Sequence, residues 1–198
     1  VSTEAGILDL VAALKERENA LHILVNNAGK AWGATLETYP EEQFDQVMAL
    51  NVKSAFLLTR HLLGLLEAGA SFEDPARIVN TGSIAGILTG SAVTVYAYGV
   101  SKAAIHQLTR LLADELAGRH ITVNAIAPGR FPSRMTAYII EDKERYEMEK
   151  RAIPLGRYGR EEDVQGLSIC LCSKAGSYMT GNIIPLDGGA LIKGLNLD

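Results

Sequence analysis

A chain of 198 residues can bury one sizeable core, and 47% hydrophobic with 21% charged residues is the balance of a globular domain. A net charge of −4 argues against an electrostatic nucleic-acid binder, and no apolar run approaches the ~20 residues of a membrane span. The two cysteines, Cys170 and Cys172, sit too close together for a disulfide framework and lack a second cluster for a zinc site, so no metal is expected. They read as reduced core thiols, which points to a cytoplasmic setting; no secretory leader is visible.

In chain order, an amphipathic helix over 6–15 precedes a short apolar strand over 22–25 that runs into Asn26-Asn27-Ala28-Gly29. The segment 41–67 opens with Pro40, Glu41 and Glu42, the proline and acids favoured in a first helical turn, and is expected to be one long helix. A second strand, 77–80, ends in Thr81-Gly82-Ser83. The helix expected over 98–116 places Ile105, Leu108, Leu112 and Leu116 on one face. A third strand, 121–125, leads to Ala127-Pro128-Gly129. The charged stretch 131–160, with Pro132 and Pro154, breaks the rhythm. It reads as an excursion over the sheet edge, a substrate loop or lid spanning 130–160 within a single domain of residues 1–198; a solvated helix over 137–151 accounts equally well for its charges. A helix over 161–172 and a strand over 182–186, ending in Asp187-Gly188-Gly189, complete the chain. Strands alternating with long helices imply right-handed crossovers and a parallel sheet covered on both faces, an α/β doubly wound, Rossmann-like fold.

Open parallel sheets bind ligands beyond the C-terminal ends of their strands, where the four glycine-, asparagine- and proline-bearing turns would gather. Each alone is simply what a turn requires. Tyr98 and Lys102 stand four apart and share a helical face. A phenol of pKa about 10 needs a neighbouring cation to serve as an acid–base group near neutrality, and Lys102 could supply it while Ser83 holds a substrate oxygen. That trio can donate a proton to a carbonyl oxygen as hydride arrives at carbon. The spacing alone is weak, with a chance expectation of roughly 0.3 per chain of this composition. A second pair, Tyr146 and Lys150, lies in a charged segment with no strand-end serine before it and reads as solvated. Tyr96 is excluded as the acid because position 100 is Val.

Asn26-Asn27-Ala28-Gly29, Asn51-Val52-Lys53-Ser54, Gly82-Ser83, Tyr98-Gly99-Val100-Ser101-Lys102 and Pro128-Gly129 occur in an order and spacing that resembles the short-chain dehydrogenase/reductase family, from Val1 through Asp187-Gly188-Gly189. The resemblance implies an oxidoreductase that moves hydride between a nicotinamide and a carbonyl or secondary alcohol. It makes Tyr98 the acid–base group and Ser83 the holder of the carbonyl. Lys102 would lower the Tyr98 pKa and bind the nicotinamide ribose, and Asn51 would hold a water linking Lys102 to solvent. Asn27, Ala28 and Gly29 would approach the adenosine side of the cofactor, and Pro128, Gly129, Phe131 and Ser133 would line the nicotinamide. The family has threonine where Ser133 stands; serine keeps the hydroxyl. Ser83 lies fifteen residues before Tyr98, which suggests a loop insertion around 89–94.

No glycine-rich phosphate turn occurs before Gly29, so the resemblance implies an N-terminally incomplete fold whose selector region for NADP or NAD is absent. Tyr96-Ala97-Tyr98-Gly99, the stretch 127–136 and Met179-Thr180-Gly181-Asn182 most resemble β-ketoacyl reductases of the rhamnolipid-synthesis type. This implies NADP, with NAD possible, and reduction of a 3-oxoacyl thioester, with Arg130 and Arg134 placed to meet an anionic carrier or a CoA phosphate. Action on another alcohol or ketone (a sugar, a steroid, a small alcohol) and a truncated, catalytically silent protein are the alternatives. Family likeness also implies a homodimer or homotetramer formed through 41–67 and 98–116, although the apolar content of these helices fits burial against their own sheet equally well; charge and hydropathy give no sign of a nucleic-acid or membrane partner.

Overall fold

The apolar runs become strands β1 (Ile23–Asn26), β2 (Ala76–Thr81), β3 (Ile121–Pro128) and β4 (Ile183–Leu186) in the computed structural model, which describes residues 1–89, 95–133 and 136–193. All neighbours pair in parallel, in the order β1-β2-β3-β4. Each expected strand is present, with no end moved by more than three residues. β2 and β3 are buried almost throughout, as expected of central strands covered on both faces. β1 exposes Ile23 and Val25.

Side-chain alternation sorts the core into two layers. Ile78 and Val123 face Leu66 of α3 (Ser54–Ala68) and Leu112, Ala113 and Leu116 of α4 (Tyr96–Leu116). Val79 and Ile126 point the other way, onto Leu171 of α7 (Glu161–Cys172). Helix α1 (Glu4–Lys15) packs outside α3 through Ile7 and Val11 against Leu58 and Leu62. Each fully buried aliphatic side chain contributes about 1.5–3 kcal/mol relative to exposure.

The connections β1–β2 and β2–β3 pass over the α3/α4 face, whereas β3–β4 passes over the α7 face while the strand order continues in the same direction. The third crossover therefore has the opposite hand from the first two, a departure from the uniform right-handed set expected from sequence. The long excursion after β3 carries the chain past the sheet end before α7 begins, which frees α7 to settle on either face.

The helix expected over 41–67 is interrupted. Helix α2 (Glu41–Met48) passes into a π-helical turn, Ala49–Lys53, before α3. There the Ser54 N–H reaches the Ala49 carbonyl, and the Ser54 hydroxyl donates to the Leu50 carbonyl at 2.6 Å. The extra residue brings Asn51 into the interior, where it is buried.

The excursion forms two short helices, α5 (Ala137–Glu141) and α6 (Lys143–Arg151), divided at Asp142, whose carboxylate caps α6 by accepting from the Arg145 N–H. It is fastened at both ends: Gly159 N–H donates to the Arg130 carbonyl, Leu155 N–H donates to the Gly188 carbonyl, and the Phe131 ring lies where a side chain on Gly159 would stand. The turn after β4 is built on Gly188 (φ 63°) and Gly189 (φ 90°), with the Asp187 carboxylate accepting from the N–H groups of Gly189 and Leu191 and capping α8 (Ala190–Lys193). Arg134 and all but the first residue of the 89–94 insertion lie outside the described residues. Among the described residues no helix is long and apolar enough to cross a membrane.

Ile78 has no exposed surface and is clasped between α3 and α4. Ile78→Ala is expected to lower unfolding stability by about 2–5 kcal/mol in urea denaturation, against a change within about 0.5 kcal/mol for the exposed control Leu36→Ala.

Candidate active site

The strand register brings Asn26, Thr81, Pro128 and Leu186 to one edge of the sheet, because all four strands are parallel and end together. α4 crosses this edge on the β2 side. Its first turns place Tyr98 and Lys102 over the β2 end, with Lys102 buried and Tyr98 half-buried.

Lys102 Nζ donates to the Thr81 carbonyl at 2.7 Å and stands 5.4 Å from the centre of the Tyr98 ring. The Ser83 side chain is close enough to the Tyr98 hydroxyl to lower its pKa, and its Oγ accepts from the Ala85 N–H at 3.1 Å. Ser83, Tyr98 and Lys102 thus form one cluster. Asn51 and Gly29 complete its floor: a methyl group on Gly29 would lie 3.3 Å from Asn51 Oδ1 and 3.8 Å from Lys102 Nζ. Asn27, exposed beside them, accepts from the Thr81 hydroxyl at 3.0 Å and ties the first strand end to the second. Ala28 is exposed on the same turn.

Asn51 finds partners in protein groups. Its Nδ2 donates to the Lys30 carbonyl and to Ser101 Oγ, both at 2.9 Å, and its Oδ1 accepts from the Lys30 N–H at 2.9 Å. Both amide donors are used, so the side chain fixes the Gly29–Lys30 turn against α4.

Pro128, Gly129, Phe131 and Ser133 follow β3. Gly129 is seated against the Asp187 backbone, with room for no Cβ, while Phe131 packs on Gly159 and the Ser133 hydroxyl lies 3.1 Å from Thr136 Oγ1. The structure thus joins Phe131 and Ser133 to the excursion, and Gly129 to the β4 end. Arg130 is half-buried and pairs with Glu149 of α6 at 3.1 Å; the Glu149 carboxylate also accepts from the Tyr158 hydroxyl at 2.7 Å and lies 3.6 Å from Arg145 Nε. The charge that Arg130 was expected to offer an anionic carrier is therefore matched by a buried carboxylate. Tyr146 and Lys150 are not simply solvated: the Tyr146 ring rests against Tyr158 with centroids 4.8 Å apart, and Lys150 bonds Glu147 at 2.8 Å.

Electrostatics at the cluster is dominated by burial. Burial raises the Tyr98 phenol above its ordinary value, while the Ser83 hydrogen bond and the Arg130 charge pull it back. The cation that pulls this phenol down is thus Arg130, while Lys102 stands over the ring face. Burial lowers Lys102 from 10.5 to about 8. Burial, with Arg110 and Lys102 nearby, lowers His106 to about 4. Sequence reasoning missed His106, although the i, i+4 step from Tyr98 to Lys102 reaches it next. It also missed Glu149, which is buried inside a segment of charged residues that carries no pattern to betray it.

A family model described as enoyl-(acyl carrier protein) reductase matches residues 1–190. The chain is 54% identical over 189 residues to the rhamnolipids biosynthesis 3-oxoacyl-[acyl-carrier-protein] reductase of Pseudomonas aeruginosa, covering 96% of this chain and 73% of that protein. It is 36% identical to a 2-dehydro-3-deoxy-D-gluconate 5-dehydrogenase of Bacillus subtilis, over 96% of this chain and 72% of the relative. Among solved structures, the Pseudomonas aeruginosa RhlG/NADP active-site complex superposes with a TM-score of 0.92 at 54% identity, covering 96% of this chain and 73% of that one.

Because Lys102 titrates near 8 when folded and near 10.5 when unfolded, the unfolded chain binds more protons between those values, and this group's penalty on folding is full below pH 8 and relieved as pH rises toward 10.5. Lys102→Met is therefore expected to raise the melting temperature at pH 7 by about 2–4 °C, equivalent to about 1 kcal/mol, with a gain that shrinks as pH climbs. A fall in melting temperature that does not vary with pH would show that the Thr81 hydrogen bond outweighs the desolvation of the ammonium.

Proposed function

The chain belongs to the short-chain dehydrogenase/reductase family, and from that premise we propose that it reduces the ketone of a 3-oxoacyl thioester with NADPH. The observation that carries the reading is the Ser83–Tyr98–Lys102 cluster at the C-terminal edge of the parallel sheet. The substrate class follows the 54%-identical reductase, and NADP follows the complex that shares this fold.

The residues present fit a dinucleotide. Lys102 carries three N–H donors, and its one acceptor among the described residues is the Thr81 carbonyl, which leaves donors for a ribose diol. Gly29 keeps open the space that a side chain would fill beside Asn51 and Lys102. In this reading Asn27, Ala28 and Gly29 approach the adenosine side, and Pro128, Gly129, Phe131 and Ser133 line the nicotinamide. A bound reduced nicotinamide would supply the hydride. Ser83 Oγ holds the substrate oxygen beside Tyr98, and the Tyr98 hydroxyl donates its proton to that oxygen as charge develops there. Lys102 then stabilises the tyrosinate left behind, while Asn51 keeps the Gly29–Lys30 turn seated against α4. A phenol raised by burial rests protonated at neutral pH, the form that reduction consumes.

Residues 130–160, fastened by Arg130, Glu149 and Tyr158, act as the substrate lid of one Rossmann-like domain. Two of the protein's helical faces serve self-association as a homodimer or homotetramer: Val100 and Leu111 of α4 and Phe56 of α3 are exposed, beside a shallow hollow lined by Met48, Val52 and Leu108. The free thiols of Cys170 and Cys172 accord with a cytoplasmic protein.

Trp32, the single tryptophan, follows the Asn26–Gly29 turn and is partly exposed. Its emission is expected to be quenched saturably by NADPH and more weakly by NADH. Steady NADPH oxidation with 3-oxoacyl thioesters is expected as well, falling by at least about 100-fold in Tyr98→Phe. Oxidation with sugar-acid or simple ketones alone would move the substrate to another carbonyl class. A folded protein whose tryptophan answers neither cofactor would be a catalytically silent member of the family.

A further inference from the structure

Ser83 sits at the point where the sheet stops providing partners. The β2–β3 ladder closes with the Gly82 N–H donating to the Ile126 carbonyl at 2.7 Å, and the next backbone N–H belongs to Ser83, which is buried and extended (φ −171°, ψ 153°). That N–H donates to His106 Nε2 at 3.4 Å. His106 is 3% exposed and lies one helical turn beyond Lys102, on the face of α4 that carries Tyr98. The imidazole is pressed so closely onto the strand end that a Cβ on Gly82 would run into its Nε2 and Cδ2 atoms. Three residues beyond Ser83, a Cβ on Gly86 would meet the Lys102 carbonyl carbon at 2.5 Å and the Ala103 nitrogen at 2.6 Å. α4 therefore grips the Ser83 turn from both sides, by its backbone at Gly86 and by one side chain, His106, at Gly82.

We propose that His106 is a positioning residue, whose neutral imidazole accepts the Ser83 N–H and so aims the Ser83 hydroxyl at the substrate oxygen. This rests on the reading of Ser83 as the holder of that oxygen. His106 itself touches neither substrate nor cofactor. A buried N–H without an acceptor is unfavourable, so in the absence of the imidazole the turn rotates to find one, and the hydroxyl turns with it. An imidazole that accepts at Nε2 carries its proton on Nδ1, and burial keeps it in this neutral form at physiological pH. Protonation would place a second N–H against the Ser83 N–H and break the contact.

A double-mutant cycle on the purified protein tests the assignment. His106→Leu removes the acceptor at similar volume, and His106→Gln returns an acceptor near the Nε2 position. His106→Leu is expected to lower kcat by about 10- to 100-fold, leaving the NADPH quench of Trp32 unchanged. His106→Gln is expected to recover most of that loss, and in a Ser83→Ala background His106→Leu should cost less than about twofold more, because its effect runs through Ser83. An equal loss in the Ser83→Ala background, or a His106→Gln variant as impaired as His106→Leu, would overturn the proposal. Nitrogen-15 spectra of the imidazole, assigned by comparison with His106→Gln, give a readout independent of turnover. An unprotonated Nε2 between pH 6 and about 8 supports the proposal, and a protonated one overturns it, even if no 3-oxoacyl thioester proves to be a substrate.

Discussion

An ammonium group that is 4% exposed at the end of a parallel strand is an electrostatic load on the fold, and the arrangement around Lys102 is what makes it tolerable. The Thr81 carbonyl accepts from Nζ at 2.7 Å, the Tyr98 ring presents its face at 5.4 Å, and nothing else in the cluster carries a full negative charge. Holding the lysine there requires α4 to lie hard against the end of β2, and two features of the sequence permit it. Gly86 admits the backbone of Lys102 and Ala103, and Gly82 admits His106. Below this point α4 is bound by both kinds of contact. Its apolar face, Leu112, Ala113 and Leu116, closes on Ile78 and Val123, and its polar interior residue Thr109 accepts from the Asn80 amide at 2.9 Å. Asn80 in turn accepts from Asn26 at 2.9 Å, so a line of buried amides crosses from α4 to the edge strand. Such a line fixes register as well as contributing energy, since a one-residue slip would turn every amide onto the opposite face.

The same geometry explains why the π-helical turn at Ala49–Lys53 falls where it does. Asn51 must reach Lys30 on one side and Ser101 on the other. The wide turn gives up regular helical hydrogen bonding, and the three bonds of the Asn51 amide, all to otherwise unpaired or half-paired groups, offset the loss. The result is a rigid joint between the first strand end, the long helix and α4, with the Gly29 backbone pressed between them. The floor of the site and Tyr98 are therefore parts of one packed unit, whereas Arg130, Phe131 and Ser133 belong to the excursion.

Most of the frame was legible in the sequence because it rests on periodicity. The four strands stand where their apolar runs lie, and the helix over 161–172 has the bounds expected from its acidic first turn and apolar face. The grouping of Tyr98, Lys102 and Ser83 was legible for a different reason: it depends on spacing along a helix and on position at a strand end, both of which a sequence displays. The π turn was not, because Leu50, Asn51 and Val52 are compatible with an ordinary helix and only the tertiary partners of Asn51 select the wider one. Glu149 escaped because it stands in a segment dominated by charged residues, and its burial comes with partners outside that segment, Arg130 and Tyr158. The hand of the third crossover was hidden for the same kind of reason. A short connecting helix is constrained by the twist of the strands it joins, but the thirty-residue excursion decouples α7 from that constraint.

Burial acts on the two titrating groups of the cluster in opposite directions, and the consequence bears on the direction of reaction. It raises the phenol of Tyr98 and lowers the ammonium of Lys102, in each case favouring the neutral form. The site therefore rests as a protonated phenol beside a lysine that is still mostly charged at neutral pH, the state that precedes proton donation to a carbonyl oxygen. Oxidation of an alcohol would start from the tyrosinate, which burial opposes and which the Ser83 hydrogen bond and the Arg130 charge favour. Arg130 is itself held by Glu149 of the excursion, 3.1 Å away. The net direction of these effects is upward, so the phenol keeps its proton. The electrostatics of the described residues thus holds the phenol in its protonated form, and it does so through burial, the same property that α4 secures by lying against the end of β2.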